Sequence, residues 1–158
     1  MVGVGAVIFH DLFNQRIKNV EFNWDEVLSF EGTTGPYVQY TYARAKSILR
    51  KSGQQGVIEN NYGKPDCSLL TDDASYALVK ALAGYEAAVQ TAAKRYEPSV
   101  VARYIISVAA AFNKFYHESS ILSAGNEEKQ ARLVLVDVTQ KVLRDACGLL
   151  GLECPEEM

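Results

Sequence analysis

The chain has 158 residues but only three cysteines, two histidines and no excess of positive charge, and each shortage closes a class of explanation. Cys67, Cys147 and Cys154 are odd in number and no two have C-x-x-C spacing, so neither a disulfide framework nor a zinc centre is expected. They read as reduced thiols of a cytoplasmic protein. His10 and His117 are the only imidazoles, and the carboxylates gather at helix starts, so no metal set and no nucleophile–base pair emerges. Walker and G-x-S-x-G sequences are absent. Gly3-Val-Gly5 has two glycines of a dinucleotide-binding turn without the third, and no strand can precede it; small residues for close helix packing are the reading. No catalytic residue and no metal ligand is assigned. A net charge of −3 argues against a general nucleic-acid coat, though not against a local basic stripe. The apolar start, residues 1–9, is too short to span a membrane and lacks the basic flank and cleavage site of a signal peptide. It reads as a core segment, which predicts further chain upstream of Met1.

What is present is the mixture of a folded domain: 48% apolar and 22% charged residues. A chain of this length buries roughly two-thirds of its unfolded surface, enough for a core without metal or disulfide. The apolar residues recur with helical period. Residues 4–13 suit a short buried helix. Asn23 suits the cap of another, with Asp25 and Glu26 in its first turn and Val27, Leu28 and Phe30 on its apolar side. A glycine-rich loop at 32–36 leads into a helix over 37–51, with Val38, Tyr42, Ala45 and Leu49 on a buried face and Tyr37, Tyr40, Arg44, Ser47 and Lys51 elsewhere. Residues 53–70 form a polar connection. Thr71-Asp72-Asp73 caps a helix to about residue 82, Gly84 breaks it, and a second helix covers 85–96. The next, 98–121, carries Val101, Tyr104, Ile105, Val108, Phe112 and Phe115 inward. The last, opened by Asn126 as cap, runs to about residue 150 with Ala131, Leu135, Val138, Val142, Ala146 and Leu149 as core stripe and Asp137, Gln140, Lys141 and Arg144 as wet face. No segment alternates with period two for long, so the fold class is an all-α helical bundle.

One stretch has a chemistry of its own. Residues 32–58 contain no Asp or Glu but include Arg44, Lys46, Arg50 and Lys51 together with Tyr37, Tyr40 and Tyr42. Tyr37, Tyr40 and Arg44 step by three and four, so they share a helix face just after the loop. Rings can stack on splayed bases while cations follow phosphates, which is what a single-stranded RNA loop requires. The same residues also suit boundary packing and helix-end charge pairing.

The segment at 31–44, EGTTGPYVQYTYAR, resembles the E-G-x-T-G-P-Y-x-Q-Y-x-x-x-R stretch of arginyl-tRNA synthetases. Val2-Gly-Val-Gly-Ala-Val upstream, Phe115-Tyr116, Ala131-Arg-Leu133 and Val142-Leu143 downstream, and the tail at 149–158, LLGLECPEEM, are similar to the same family in order. The resemblance covers nearly the whole chain. It implies linking helices over 1–30 that follow a catalytic domain, and an anticodon-binding helical bundle over 31–158. It implies that the loop around Gly32, Thr33 and Thr34 cradles the anticodon loop, that Tyr37, Tyr40 and Tyr116 contact its bases, and that Met158 lies beside them. Arg44 would bind phosphate or brace the helix. The implied partners are the anticodon arm of arginine tRNA and the protein's own upstream catalytic domain, with no membrane and no DNA. The implied cofactors, ATP and Mg, belong to the full-length enzyme and not to this segment.

Two other classes fit the composition: a helical protein-interaction module using the same tyrosines, and a small hydrolase, against which the missing nucleophile–base set counts. The H-I-G-H-like and K-M-S-K-S-like motifs of the family's catalytic domain do not occur here. The chain alone is therefore expected to show no arginine-dependent exchange between ATP and pyrophosphate, and an exchange rate above background from the purified chain would contradict this.

Overall fold

Seven α-helices and one 3-10 turn make up the secondary structure in the computed structural model, which describes residues 2–15, 17, 19–53 and 65–158. They are α1 (Val2–Phe13), α2 (Trp24–Val27), α3 (Gly35–Lys51), α4 (Asp73–Ala83), α5 (Tyr85–Arg95), α6 (Ser99–Glu118) and α7 (Asn126–Leu149), with the 3-10 turn at Cys67–Leu69. Among the described residues there is no strand. Part of the polar connection expected at 53–70, residues 54–64, lies outside the described residues.

Local chemistry starts the helices. Asn23 caps α2, its side chain accepting from the Asp25 amide at 3.0 Å. The Thr34 hydroxyl accepts from the Tyr37 amide at 3.2 Å and donates to the Ser29 carbonyl at 2.6 Å, so the cap of α3 also fixes the loop before it. Pro36 sits in the first turn, where a missing amide hydrogen costs nothing. Asp72 caps α4. Gly125, not Asn126, takes the cap position of α7, and Asn126 is the first helical residue; no side chain caps that end. Helix α6 stops at Glu118, short of residue 121, because Ser119 turns to extended backbone and its hydroxyl donates to Asp72.

The core lies where α3, α6 and α7 meet, with α1 and α4 closing it and α5 packing on α6. Phe9, Leu78, Ile105, Phe112, Phe115, Leu133 and Leu143 are fully buried within it. The stripes expected on α3 and α6 are the ones observed, with Tyr104 half-buried and its hydroxyl donating to the Ala81 carbonyl at 2.9 Å. Burial pushes the Tyr104 phenol up to about 12. Helix α1 crosses α3 at its glycines: a Cβ on Gly35 would lie 2.9 Å from both the Gly5 carbonyl oxygen and the Phe9 Cβ, so only glycine permits this approach. Gly5, rather than Gly3, is the small residue that the crossing uses.

Helix α7 corrects the expected pattern. Asp137 and Gln140, assigned to the wet face, are buried, and Leu149, assigned to the core, is 57% exposed. The buried line runs through Leu133, Val136, Leu143, Ala146 and Cys147. The reason is that α7 packs against α3, α4 and α6, so more than one face is covered. Two of the buried polar groups are paired: Asp137 Oδ1 accepts from the Gln140 side-chain amide at 3.1 Å, and Asp137 Oδ2 lies 3.1 Å from the Lys141 ammonium as an ion pair. Buried polar groups are tolerated where they are paired in this way.

Asp72 ties three helices. Its carboxylate accepts from the Ser75 amide at 2.8 Å, the Ser75 hydroxyl at 2.7 Å and the Ser119 hydroxyl at 3.2 Å, and lies 3.8 Å from an Arg132 nitrogen on α7. Partial burial works to raise its pKa, but the hydrogen bonds from Ser75 and Ser119 and the Arg132 charge together hold it below the ordinary carboxylate value. The charged form is favoured by folding, so this contribution is present above the unfolded pKa and is lost as pH falls through the folded one. Asp72→Ala should cost about 1–2 kcal/mol at neutral pH, as for other lost caps. The gap from wild type should close when denaturation is followed below about pH 4. A gap independent of pH would show that the carboxylate charge is not what stabilises this junction.

Candidate nucleic-acid interface

One face of α3, the end of α6 and the tail after α7 enclose a cleft of about 430 Å³, lined by Tyr40, Arg44, Ser47, Arg50, Tyr116 and Met158 among others. Arg44 organises it. Its guanidinium lies 4.7 Å from the centroid of the Tyr40 ring and 4.9 Å from that of Tyr116. One nitrogen donates to the Tyr40 hydroxyl at 3.1 Å and another to Asn113 Oδ1 at 2.6 Å. Contact with an aromatic face stabilises a guanidinium while leaving other edges of the ion open to a phosphate or base. Phe30 meets Tyr40 edge-on with centroids 6.3 Å apart, and His117 meets Tyr116 in the same way at 5.5 Å. Tyr40 and Tyr116 are 37% and 39% exposed, and Met158 is 47% exposed. The site is a line of rings with a cation in the middle.

The tail reaches the cleft because it is anchored. Gly151 adopts φ +72°, and the Leu152 amide returns to the Cys147 carbonyl at 2.9 Å, ending α7 with a left-handed turn. Leu150 and Leu152 are buried. Gln39, buried on the inner side of α3, donates from Nε2 to the Glu153 carbonyl at 2.7 Å. Cys147 and Cys154 are free thiols, and hydrogen bonding toward Cys154 together with burial pushes the Cys147 thiol well above the usual thiol range. Glu156 then pairs with Lys46 at 3.2 Å, and Glu157 pairs with Arg50.

The structure brings together Tyr40, Arg44, Tyr116 and Met158. It separates Tyr37 from them: that side chain is partly buried against the core, and its hydroxyl accepts from Asn113 Nδ2 at 3.0 Å. Tyr37, placed by the sequence on the face away from the core stripe, is partly buried against the core and is not among the residues that line the cleft. Gly32 takes φ +81° in the exposed loop, a conformation that favours glycine. Thr33 and Thr34 line a different depression of about 210 Å³ beside His10 and Phe13. Phe30, edge-on to Tyr40, links that loop to the cleft.

Asn113 was missed. Its amide bonds to Tyr37 Oη, to Thr41 Oγ1 at 3.0 Å and to Arg44, holding one face of α3 against α6. A polar residue between Phe112 and Phe115 was the available signal. The partners of Gln39 and of Glu157 were missed too, since they lie more than a hundred residues away in sequence.

Residues 38–158 match the family model described as the DALR anticodon binding domain. Arginine–tRNA ligase of Halothermothrix orenii is 46% identical over 158 residues, which cover all of this chain and 27% of that protein. The Clostridium kluyveri enzyme of the same name is 49% identical over 158 residues, covering 99% of this chain and again 27% of the relative. The solved structure of Thermus thermophilus arginyl-tRNA synthetase superposes with a TM-score of 0.89 at 38% identity, covering 100% of this chain and 27% of that one. The chain thus spans about a quarter of the length of the relatives it matches.

Asn113→Ala is expected to lower stability by about 1–3 kcal/mol, because it leaves the Tyr37 hydroxyl and one Arg44 nitrogen without their partner. Tyr37→Phe should cost less, since it removes one hydrogen bond and keeps the ring in place. Chemical denaturation of both variants checks the order; a larger loss for Tyr37→Phe would contradict the assignment of Asn113 as the shared partner. By its matched residues and its all-helical architecture, the chain belongs to the DALR anticodon binding domain family.

Proposed function

We propose that this chain reads the anticodon arm of arginine tRNA as one part of an arginine–tRNA ligase. The observation that carries the reading is the Arg44 guanidinium held between the rings of Tyr40 and Tyr116 at a cleft that Arg50 and Lys51 also line. Unstacked bases of a loop find aromatic faces there, and the sugar-phosphate chain finds cations. Tyr40, Tyr116 and Met158 would touch bases, and Arg44 a base edge or phosphate. Gly32, Thr33 and Thr34, in the loop that Phe30 connects to Tyr40, would meet the adjoining part of the RNA loop. Tyr37 supports the others through Asn113. The names of the relatives and the position of this segment within them agree with this reading.

The remaining three-quarters of such a protein would carry the ligation itself, with ATP and Mg, in a cytoplasmic enzyme. Residues 1–30 would join the two parts. Among the described residues no group of three or more His, Cys, Asp or Glu is placed to hold a metal ion. Nor is any helix among them long and apolar enough to cross a membrane.

Tyr40→Ala and Tyr116→Ala should each weaken binding of an arginine anticodon stem-loop by about 1–3 kcal/mol, the worth of one base–ring stack. Thermal stability should change little, because both side chains are substantially exposed. Fluorescence titration at several salt concentrations, with melts of the same samples, tests both halves. A stem-loop that fails to bind the wild-type chain at low salt, while a protein ligand competes for the same tyrosines, would favour an interaction module instead.

A further inference from the structure

The tail brings to this face of α3 a feature that an RNA site would not be expected to keep: two carboxylates seated on helix cations, the Glu157–Arg50 pair within the cleft and the Glu156–Lys46 pair one helical turn away on α3. Glu156 pairs with Lys46 at 3.2 Å, and Glu157 pairs with Arg50. Arg50 and Glu157 both line the cleft beside Tyr116 and Met158. Lys46 and Arg50 lie on α3, in the stretch of the sequence that lacks acids. The acids come from the tail, carried there by the Gln39–Glu153 hydrogen bond and the buried Leu152. The tail is therefore anchored upstream of its acids, and the acids themselves are exposed.

We propose that Glu156 and Glu157 occupy, in the free protein, the places of two RNA phosphates, so that the tail acts as a weak internal competitor of the RNA. This rests on the reading of the cleft as an anticodon-loop site. The magnitudes suit a competitor rather than a lock. Exposed ion pairs are individually weak and are screened by salt, so a phosphate can displace each carboxylate. The anchor at Gln39 and Leu152 does not involve these acids, so the pairs can open while the rest of the tail stays docked. Apparent affinity falls by the fraction of molecules in which the pairs are closed. A ligand that offers only phosphates meets this competition without compensation. One that also stacks bases on Tyr40 and Tyr116 overcomes it, which turns the acids into a filter against other polyanions.

The experiment compares the wild-type chain with the double variant Glu156→Gln/Glu157→Gln. A control, Glu86→Gln/Glu127→Gln, makes the same charge change on exposed residues of α5 and α7. Each is titrated with an arginine anticodon stem-loop by fluorescence anisotropy across a series of KCl concentrations. The tail variant should bind about three- to ten-fold more tightly at low salt, with the difference shrinking as salt rises. The control should gain far less. Equal gains in both variants would reduce the effect to net charge and overturn the proposal. Weaker binding by the tail variant would overturn it in the opposite sense, showing that the ion pairs hold Met158 in place for the RNA. If neither the wild-type chain nor either variant binds at any salt, the anticodon reading itself falls, an outcome distinct from the other two.

Discussion

Asn113 presents one amide to three groups of α3: it donates to the Tyr37 and Thr41 oxygens, both at 3.0 Å, and accepts from Arg44 at 2.6 Å. Those three residues step by four and three along a single helix face, so one side chain of α6 fixes both the rotation and the register of α3. Thr41 in turn donates to the Tyr37 carbonyl, which ties its hydroxyl to its own helix. The arrangement has a consequence for Arg44. An arginine free in solvent loses much rotamer entropy when it engages a ligand. Here that loss has already occurred on folding, because Asn113, Tyr40 and Tyr116 hold the guanidinium before any partner arrives. A guanidinium fixed in advance binds with less entropic opposition than a mobile one.

The second constraint is the approach of α1 to α3. Gly35 allows it, and a Cβ on Gly5 would come within 2.8 Å of Gln39 Nε2, so the same crossing positions the amide that holds Glu153. Gln39 is adjacent to Tyr40 but points into the protein. Consecutive residues of one helix thus serve opposite ends of the design: Tyr40 faces the cleft and Gln39 anchors the tail that completes it. Substitutions at the α1–α3 crossing would reach the cleft through this route without touching it.

Helices were legible from the sequence because their signals are local. Asn23 and Asp72 cap where expected, and the three- and four-residue apolar steps on α3 and α6 mark the sides that are buried. Helix α7 was not, because a helix covered by three neighbours has no single stripe, and its interior accepts an Asp137–Gln140 pair that reads as surface. At the cleft, Tyr40 and Arg44 were readable from helical spacing, and Tyr116 and Met158 only from family resemblance. Tyr37 shared the same spacing as Tyr40 and yet turned inward, since a step of three on a helix moves a side chain around the axis by enough to cross the boundary between core and surface. Asn113, Gln39 and the tail ion pairs depend on tertiary proximity, and no local pattern announces them.

The charge pattern bears on what kind of nucleic acid such a cleft can hold. The whole chain carries −3, and Lys46 and Arg50 already have carboxylate partners. Binding through phosphates alone depends on a surplus of cations and the release of counterions from the nucleic acid. This surface has little surplus, so a regular duplex, whose bases are stacked away and which offers mainly its backbone, gains little from it. An open loop offers bases as well. Each base that lies on Tyr40 or Tyr116 adds an attraction that the tail acids do not oppose, because stacking on a ring does not require a free cation. On the proposed reading, the balance of charge and aromatic surface would therefore favour unpaired nucleotides over helical ones. It would do so through the same residues, Arg44, Tyr40 and Tyr116, whose positions Asn113 sets.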